Sequence, residues 1–265
     1  MITIKDYAIP TNLEEAYETL QNRRNNVILG GCSFLRMGSK NINTAIDLSK
    51  LNLDFISETD NTVEIGAMAT FRSLETSPIL QNNFNGILSK CVKDIVGIQF
   101  RNNVTLGATV YSKYGFSDLI TALLCLDVKV CLHKGGIIPL DTFLENKYEK
   151  DILTKIIISK DSSKCYFASM RNSHSDYAIL NVALSNRDGQ WKISVGARPM
   201  KAQIANNASS YLSENELNDY TIEYACELSS QELVFGSNLR ASKKFRQEIC
   251  KVLINRGIRE VMTWK

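Results

Sequence analysis

Two glycine-bearing stretches carry the residue types best suited to hold a phosphate. The first is Val27-Ile28-Leu29-Gly30-Gly31-Cys32-Ser33-Phe34-Leu35, a β-branched start that runs into two glycines, then small residues, then apolar ones. Glycine lets the chain turn tightly and lets backbone approach a ligand with no Cβ in the way. Successive N–H groups in such a turn can converge on phosphate oxygens. An ordinary strand-to-loop turn has the same composition, and on this stretch alone that plainer reading is favoured, because a strand ending in two glycines is common. The second is Arg101-Asn102-Asn103-Val104-Thr105-Leu106-Gly107-Ala108-Thr109, which again reads as a β-branched strand entering a glycine. Two such strand ends in one lobe are expected to face each other across a gap that fits a diphosphate. Asp118 could accept a sugar hydroxyl, but after Ser117 and before an apolar run its plainer role is to open a helix.

Other chemistries are poorly supplied. Neither stretch fits the G-x-G-x-x-G fingerprint and no G-K-[ST] follows, which disfavours a Rossmann domain and a P-loop. The only histidines are His133, at a strand end, and His174, in the polar run Arg171 to Asp176, where a solvated loop histidine is the favoured reading over an acid–base group. The seven cysteines (Cys32, Cys91, Cys125, Cys131, Cys165, Cys226, Cys250) show no C-x-x-C spacing, so neither a zinc ribbon nor a cysteine-held iron–sulfur cluster is expected. With no apolar signal core at the N-terminus they read as reduced, cytoplasmic, core-filling thiols.

The elements that must position these loops alternate in the first part of the chain. Asn12 can cap a helix whose Leu13, Ala16, Tyr17 and Leu20 share a face. Strands are predicted at Val27–Leu29, Ala45–Leu48, Val63–Ala67, Val128–Leu132 and Ile152–Ile158. Helices are predicted from Thr70 to Leu74, from Leu88 to Ile95 and from Ser117 to Leu126. The later part reads as strands at Tyr166–Met170, Ala178–Ser185 and Trp191–Gly196, the last two joined by the turn-rich Asn186 to Gln190, followed by helices over about 215–228 and 241–261. The polar run Lys160 to Lys164 marks a boundary. Across 265 residues, 31 basic and 28 acidic side chains nearly balance, giving +3, and 44% of residues are apolar. That composition suits a globular protein with a real core and gives no footprint for nucleic acid or an anionic membrane. The basic stretch Leu239 to Arg246 reads as a solvated face or a docking surface rather than a nucleic-acid patch. No apolar run approaches the roughly 20 residues of a membrane span.

Taken in order, these stretches resemble the FAD-binding medium subunits of the molybdenum hydroxylases, the xanthine dehydrogenase and carbon monoxide dehydrogenase group. Leu29 to Leu35 is similar to that family's A-G-G-T/H-x-L-L loop, Ala45 to Leu51 to its I-D-L strand, and Glu64 to Thr70 to its I-G-A-x-x-T step. Gln99 to Asn102 with Thr105 to Thr109 resembles Q-I-R-N…T-I-G-G-N. Ser117 to Leu119 with Ala122 to Asp127 resembles S-D-L…A-L-L-A-L-D-A. Leu239 to Ser242 with Phe245 and Arg246 resembles the C-terminal R-A-S…Y-R helix start.

The resemblance implies an α+β architecture: a PCMH-type FAD-binding domain over residues 1–160, in subdomains of about 1–55 and 56–160, followed by a small domain of antiparallel sheet and helices over 164–265. It implies FAD held by Ile28, Leu29, Gly30, Gly31, Cys32, Ser33, Phe34 and Leu35 and by Thr105, Leu106, Gly107, Ala108 and Thr109, largely through backbone N–H groups around the pyrophosphate. Asp118 would bind sugar or ribityl hydroxyls and Leu153 would pack near the isoalloxazine. It implies no catalytic side chain and no metal. The expected role is an electron-transfer oxidoreductase subunit, passing electrons from a two-iron two-sulfur subunit, supplied by a molybdopterin-binding subunit, through FAD to NAD or another acceptor. The chain departs from the family at Ala108 for a glycine, Thr109 for an asparagine and Ala168 for a lysine. If Ala108 needed positive φ, it would cost about 1 kcal/mol. These departures motivate an assembly subunit with weakened or lost flavin binding as the alternative. A stand-alone enolpyruvyl-UDP-GlcNAc reductase would need a serine and glutamate motif that is not found.

Overall fold

The computed structural model describes residues 1–264. The first elements are β1 (Thr3–Ala8), α1 (Leu13–Asn22), β2 (Val27–Leu29), β3 (Asn41–Asp47), β4 (Ile56–Glu58), β5 (Thr62–Gly66), α2 (Phe71–Thr76), α3 (Pro78–Asn82) and α4 (Ile87–Val92). Next come α5 (Ile98–Arg101), α6 (Leu106–Ser112), α7 (Asp118–Leu124), β6 (Val128–Leu132), β7 (Gly136–Pro139), α8 (Leu140–Glu145), β8 (Leu153–Ser159) and β9 (Lys164–Met170). The last are β10 (Leu180–Arg187), β11 (Gln190–Gly196), β12 (Gln203–Ile204), α9 (Asn206–Glu214), α10 (Asp219–Glu232) and α11 (Lys243–Thr263). They form two compact units.

One unit comprises Met1–Ser73, Ile98–Ser112 and Val128–Ile158. Its three-stranded sheet has the order β1-β3-β2, with both outer strands parallel to β3. Asn12 caps α1 by accepting from the Glu15 amide at 2.9 Å. The expected apolar face of α1 (Leu13, Ala16, Tyr17, Leu20) packs with Ile46, Leu48 and Ile152. A five-stranded sheet has the order β4-β5-β8-β6-β7. There β6 and β7 form a hairpin that turns between Leu132 and Gly136, and β8 runs antiparallel to β6 with an irregularity at Cys131/Leu132.

One prediction fails in this unit. Thr105 makes only an isolated bridge to Thr70, and the chain enters α6 at Leu106 rather than continuing a strand. A tertiary contact decides this. The amides of Leu106 and Gly107 donate to the carbonyls of Ala69 and Ala67 at 2.9 and 2.8 Å, and Val104 O accepts from the Phe71 amide at 2.9 Å, which ties the stretch to the segment just past β5 without extending the sheet. Gly107 permits the approach, since a Cβ there would lie 2.7 Å from the Ala67 Cβ.

The other unit comprises Leu74–Gly97, Lys113–Asp127 and the chain from Ser159 onward. Its antiparallel sheet has the order β12-β11-β10-β9. From Leu180 to Ser185, β10 is buried on both faces. Leu180, Val182 and Leu184 join the apolar core that includes α11, while Asn181 and Ser185 bond to Thr121 on α7 and to the Cys125 carbonyl just past it. Period-2 side-chain alternation makes that division obligatory. The β10–β11 hairpin closes on Asp188 and Gly189 at φ +50° and +87°, as the turn-rich run predicts. The helix expected from about residue 215 begins at Asp219 instead, because Asn218 and Thr221 form a reciprocal capping box. Helix α9 has little sequence signal: its sequence NNASSYLSE offers only Ala208 and Leu212 as buried apolar anchors. No described helix is long and apolar enough to cross a membrane.

Candidate flavin site

The first loop is built by a left-handed turn. Gly31 has φ +73°, and a Cβ there would overlap the Asn103 carbonyl oxygen outright. Cys32 follows at φ +60°, a conformation that costs a non-glycine residue roughly 1 kcal/mol. The turn then tightens, with Arg36 N donating to Cys32 O at 3.1 Å, and Leu35–Met37 forms a short 3-10 helix. Phe34 packs edge-on against Phe100. Among the described residues, no protein group accepts from the amides of Gly31, Cys32 or Ser33. Consecutive free N–H groups in a left-handed turn are the backbone arrangement that takes up anionic oxygens. Burial, with Asp47 nearby, pushes the Cys32 thiol pKa up, which keeps it protonated and unreactive. Because the strain sits at a residue with a Cβ, Cys32→Gly is expected to stabilise the protein by about 0.5–1 kcal/mol in urea unfolding while leaving flavin content intact.

The second loop differs from expectation. Its amides are committed within the protein: Leu106 and Gly107 to Ala69 and Ala67, Thr109 to the Thr105 carbonyl, and Ala108 to Thr105 Oγ1 at 3.3 Å. Leu106 and Thr109 are buried, and the Thr109 hydroxyl donates to Thr105 O. This stretch therefore supplies shape, not a ring of N–H donors. The two loops also touch rather than face each other across a gap, since a Cβ on Gly30 would lie 2.6 Å from the Ala108 Cβ and 3.0 Å from Thr105 Oγ1. Ala108 lies in α6, outside the positive-φ residues, so its methyl causes no backbone strain and simply meets Gly30.

A cavity of about 350 Å³ opens beside this contact. Ile28, Gly30, Thr105, Gly107, Ala108 and Leu153 line it, so six of the expected residues converge there. Leu29, Gly31, Cys32, Ser33, Phe34, Leu35, Leu106 and Thr109 do not line it. Residues the sequence did not single out complete the wall, among them Leu48, Met68, Tyr111, Lys40 and Lys150. Lys150 is held by the carbonyls of Arg23, Arg24 and Asn26 at the end of α1, and burial lowers its pKa. Asp151 accepts from the amides of Gly135 and Ile152 at 2.7 Å each and so fixes the β6–β7 turn, while Tyr111 Oη accepts from the Asp151 amide. The available signal is position: Tyr111 lies one helical turn past Gly107, and Lys150-Asp151 immediately precedes the apolar run of β8. A mostly apolar cavity with few polar groups, beginning at a turn with free amides, fits part of a dinucleotide cofactor and its phosphates.

Asp118 lies in the other unit and is already engaged. Ser117 caps α7, and the Asp118 carboxylate, 3% exposed, accepts from Arg171 Nη2 and Asn181 Nδ2 at 2.5 Å each. Desolvation pushes its pKa up, opposed by the Arg171 charge. Arg171 also donates to Ser169 Oγ at 3.1 Å and to the Asp176 carbonyl. The expected hydroxyl-binding carboxylate is thus half of a buried ion pair, with one protein donor on each of its oxygens. The R-A-S…F-R stretch is structural in the same sense: Arg240 pairs with Asp176 at 2.5 Å and Ser242 caps α11. Ala168 sits in β9 opposite Val182 and packs against the unit's apolar core.

Comparison with known proteins identifies the family. Residues 2–160 match the family described as the FAD binding domain in molybdopterin dehydrogenase, and residues 165–261 match the CO dehydrogenase flavoprotein C-terminal domain. The nicotine 6-hydroxylase medium subunit of Paenarthrobacter nicotinovorans is 25% identical, with 96% of each chain covered. The glyceraldehyde dehydrogenase medium chain of Sulfolobus acidocaldarius is 23% identical over 96% of this chain and 97% of that one. Two solved structures share the fold at 20% identity: carbon monoxide dehydrogenase from Hydrogenophaga pseudoflava (TM-score 0.89) and quinoline 2-oxidoreductase from Pseudomonas putida 86 (TM-score 0.85), each covering 97% of this chain and 96% of the matched one. With a flavin domain and the matching C-terminal domain in one chain, a left-handed glycine turn and the cavity it opens on, this chain belongs to the FAD-binding medium subunits of the molybdenum hydroxylases.

Proposed function

We propose that this chain is the flavin-carrying electron-transfer subunit of a three-part oxidoreductase. A molybdopterin-binding subunit oxidises the substrate, a two-iron two-sulfur subunit passes the electrons on, and this chain delivers them to NAD or another acceptor. Bound FAD supplies the exchange between one-electron donation and two-electron delivery. The chain's own residues bind and orient: the Gly31-Cys32-Ser33 amides take the pyrophosphate, and Ile28, Met68 and Leu153 give the cofactor an apolar wall that excludes water. The observation that carries this reading is the left-handed turn with free amides at the edge of the cavity. The relatives' names, medium subunits and chains of hydroxylases and dehydrogenases, support it. The purified complex is expected to show a flavin spectrum with one FAD per chain, bleached by reductant and restored by acceptor. A complex that assembles fully yet takes up no FAD on reconstitution would establish instead the assembly-subunit reading, which the committed second-loop amides and the paired Asp118 favour.

A further inference from the structure

The strand that carries the first glycine turn is weakly held by its own residues. β2 is three residues long, pairs only with β3, and is half-buried at each of Val27, Ile28 and Leu29. A short edge strand of this kind opens at low free-energy cost unless something outside it ties it down. The tie is at its root. Lys150 Nζ donates to the carbonyls of Arg23, Arg24 and Asn26, at 3.3 Å to Arg23 and 3.1 Å to Asn26. These carbonyls end α1 and lead into β2, and α1 has no basic residue in its own last turn. An ammonium there meets the orphan carbonyls and the negative end of the helix dipole. Capping alone does not account for the arrangement. Arg23 and Arg24 already stand at that end, yet the cation comes from 124 to 127 residues away, with its pKa lowered by burial and by the Arg24 charge. Its base is fixed as well. Gln21 Nε2 donates to the Lys150 carbonyl at 2.6 Å, and the buried Asp151 beside it is held by the Gly135 amide and by Tyr111 Oη. Lys150 is thus a strut from the segment before β8 to the root of β2, and both ends line the cavity. An ammonium has three N–H donors, and all three are engaged by carbonyls, so this one holds protein rather than ligand.

We propose that Lys150 is a positioning residue for FAD: without touching the cofactor, it fixes the root of β2 and so aims the Gly31, Cys32 and Ser33 amides. This rests on the reading of that turn as the pyrophosphate site. Donors held in place before the ligand arrives bind it with little ordering cost. Freeing the root lets β2 and its turn sample orientations that do not bind.

The test uses the full chain freed of flavin, comparing wild type, Lys150→Met, Lys150→Arg and Lys134→Met. Methionine keeps most of the stem in the cavity wall and removes the ammonium, whereas arginine keeps charge and donors. Lys134 ties α1 to the β6–β7 turn through Glu14 at 2.6 Å, away from the carbonyls of the α1–β2 connection, and serves as the control. With every variant folded by near-UV circular dichroism, Lys150→Met is expected to raise the FAD dissociation constant about 10-fold, Lys150→Arg to recover most of that loss, and Lys134→Met to change it less than about twofold. Hydrogen exchange over residues 26–29 of the flavin-free chain should be about 10-fold faster in Lys150→Met and unchanged in Lys134→Met. An unchanged FAD dissociation constant in Lys150→Met overturns the proposal, even with a lowered urea midpoint, and leaves a helix cap only. An equal loss in Lys134→Met also overturns it, since the effect is then a general loosening of α1. A wild-type chain that never takes up FAD defeats the pyrophosphate reading instead. Faster exchange in Lys150→Met then still establishes the strut on β2, and unchanged exchange defeats both.

Discussion

Gly31→Val is expected to strip FAD from the protein and to destabilise the unit that carries the first loop by more than about 3 kcal/mol. Two effects add. The residue has φ +73°, where a β-branched side chain is strained, and its Cβ would overlap the Asn103 carbonyl oxygen, which belongs to backbone and cannot swing aside. Displacing Asn103 drags the adjoining Val104-Thr105 segment, while displacing the turn redirects the Gly31, Cys32 and Ser33 amides. Either response damages the region where the turn opens on the cavity. The measurements are the FAD-to-protein absorbance ratio and the urea midpoint. Gly189 provides the control, because it has φ +87° but a Cβ there would meet no atom within 4 Å. Gly189→Ala should therefore lose about 1 kcal/mol from backbone strain and keep its full complement of flavin. If Gly31→Val retains FAD at the wild-type ratio, the turn is not the cofactor-binding element.

Arg171→Met is expected to cost about 3–5 kcal/mol, because it leaves the Asp118 carboxylate buried without its cation. The side chains of Arg171 and Asp118 are 9% and 3% exposed, so solvent cannot take over the lost partner. The loss should depend on pH with a definite sign. Burial already holds the folded-state pKa of Asp118 above its ordinary value of 3.8, and removing the arginine raises it further. Between the unfolded and folded values the native state binds the extra proton, so stability falls as pH rises through that window. Urea unfolding near pH 5 should thus show a smaller deficit than at pH 8. Adding Asp118→Asn to Arg171→Met should recover much of the deficit at pH 8 and remove its pH dependence. A single-variant deficit below about 1 kcal/mol that does not change with pH would mean the carboxylate reaches solvent.

The residues by themselves determined what depends on near neighbours in the chain. Asn12 and Ser117 cap the helices predicted for them, the alternating apolar runs became β5, β6, β8 and β11, and Asp188-Gly189 closed its hairpin. The glycine-bearing motifs, in order, also identified the family, since close backbone packing at Gly31 and Gly107 restricts side chains directly. The tertiary structure decided whatever depends on distant partners. Thr105 to Thr109 became a bridge and a helix because Ala67 and Ala69 claimed its amides. Asp118 became half of an ion pair because folding brings Arg171, 53 residues away, within hydrogen-bonding reach of it. Strain in the first loop settled on Cys32 rather than Ala108, and Lys150, Tyr111 and Met68 joined the cavity wall with only their position in the chain to announce them. Caps, turns and alternation act over a few residues and are legible one at a time. Whether an amide or carboxylate remains free is settled only when the whole chain has satisfied its buried polar groups.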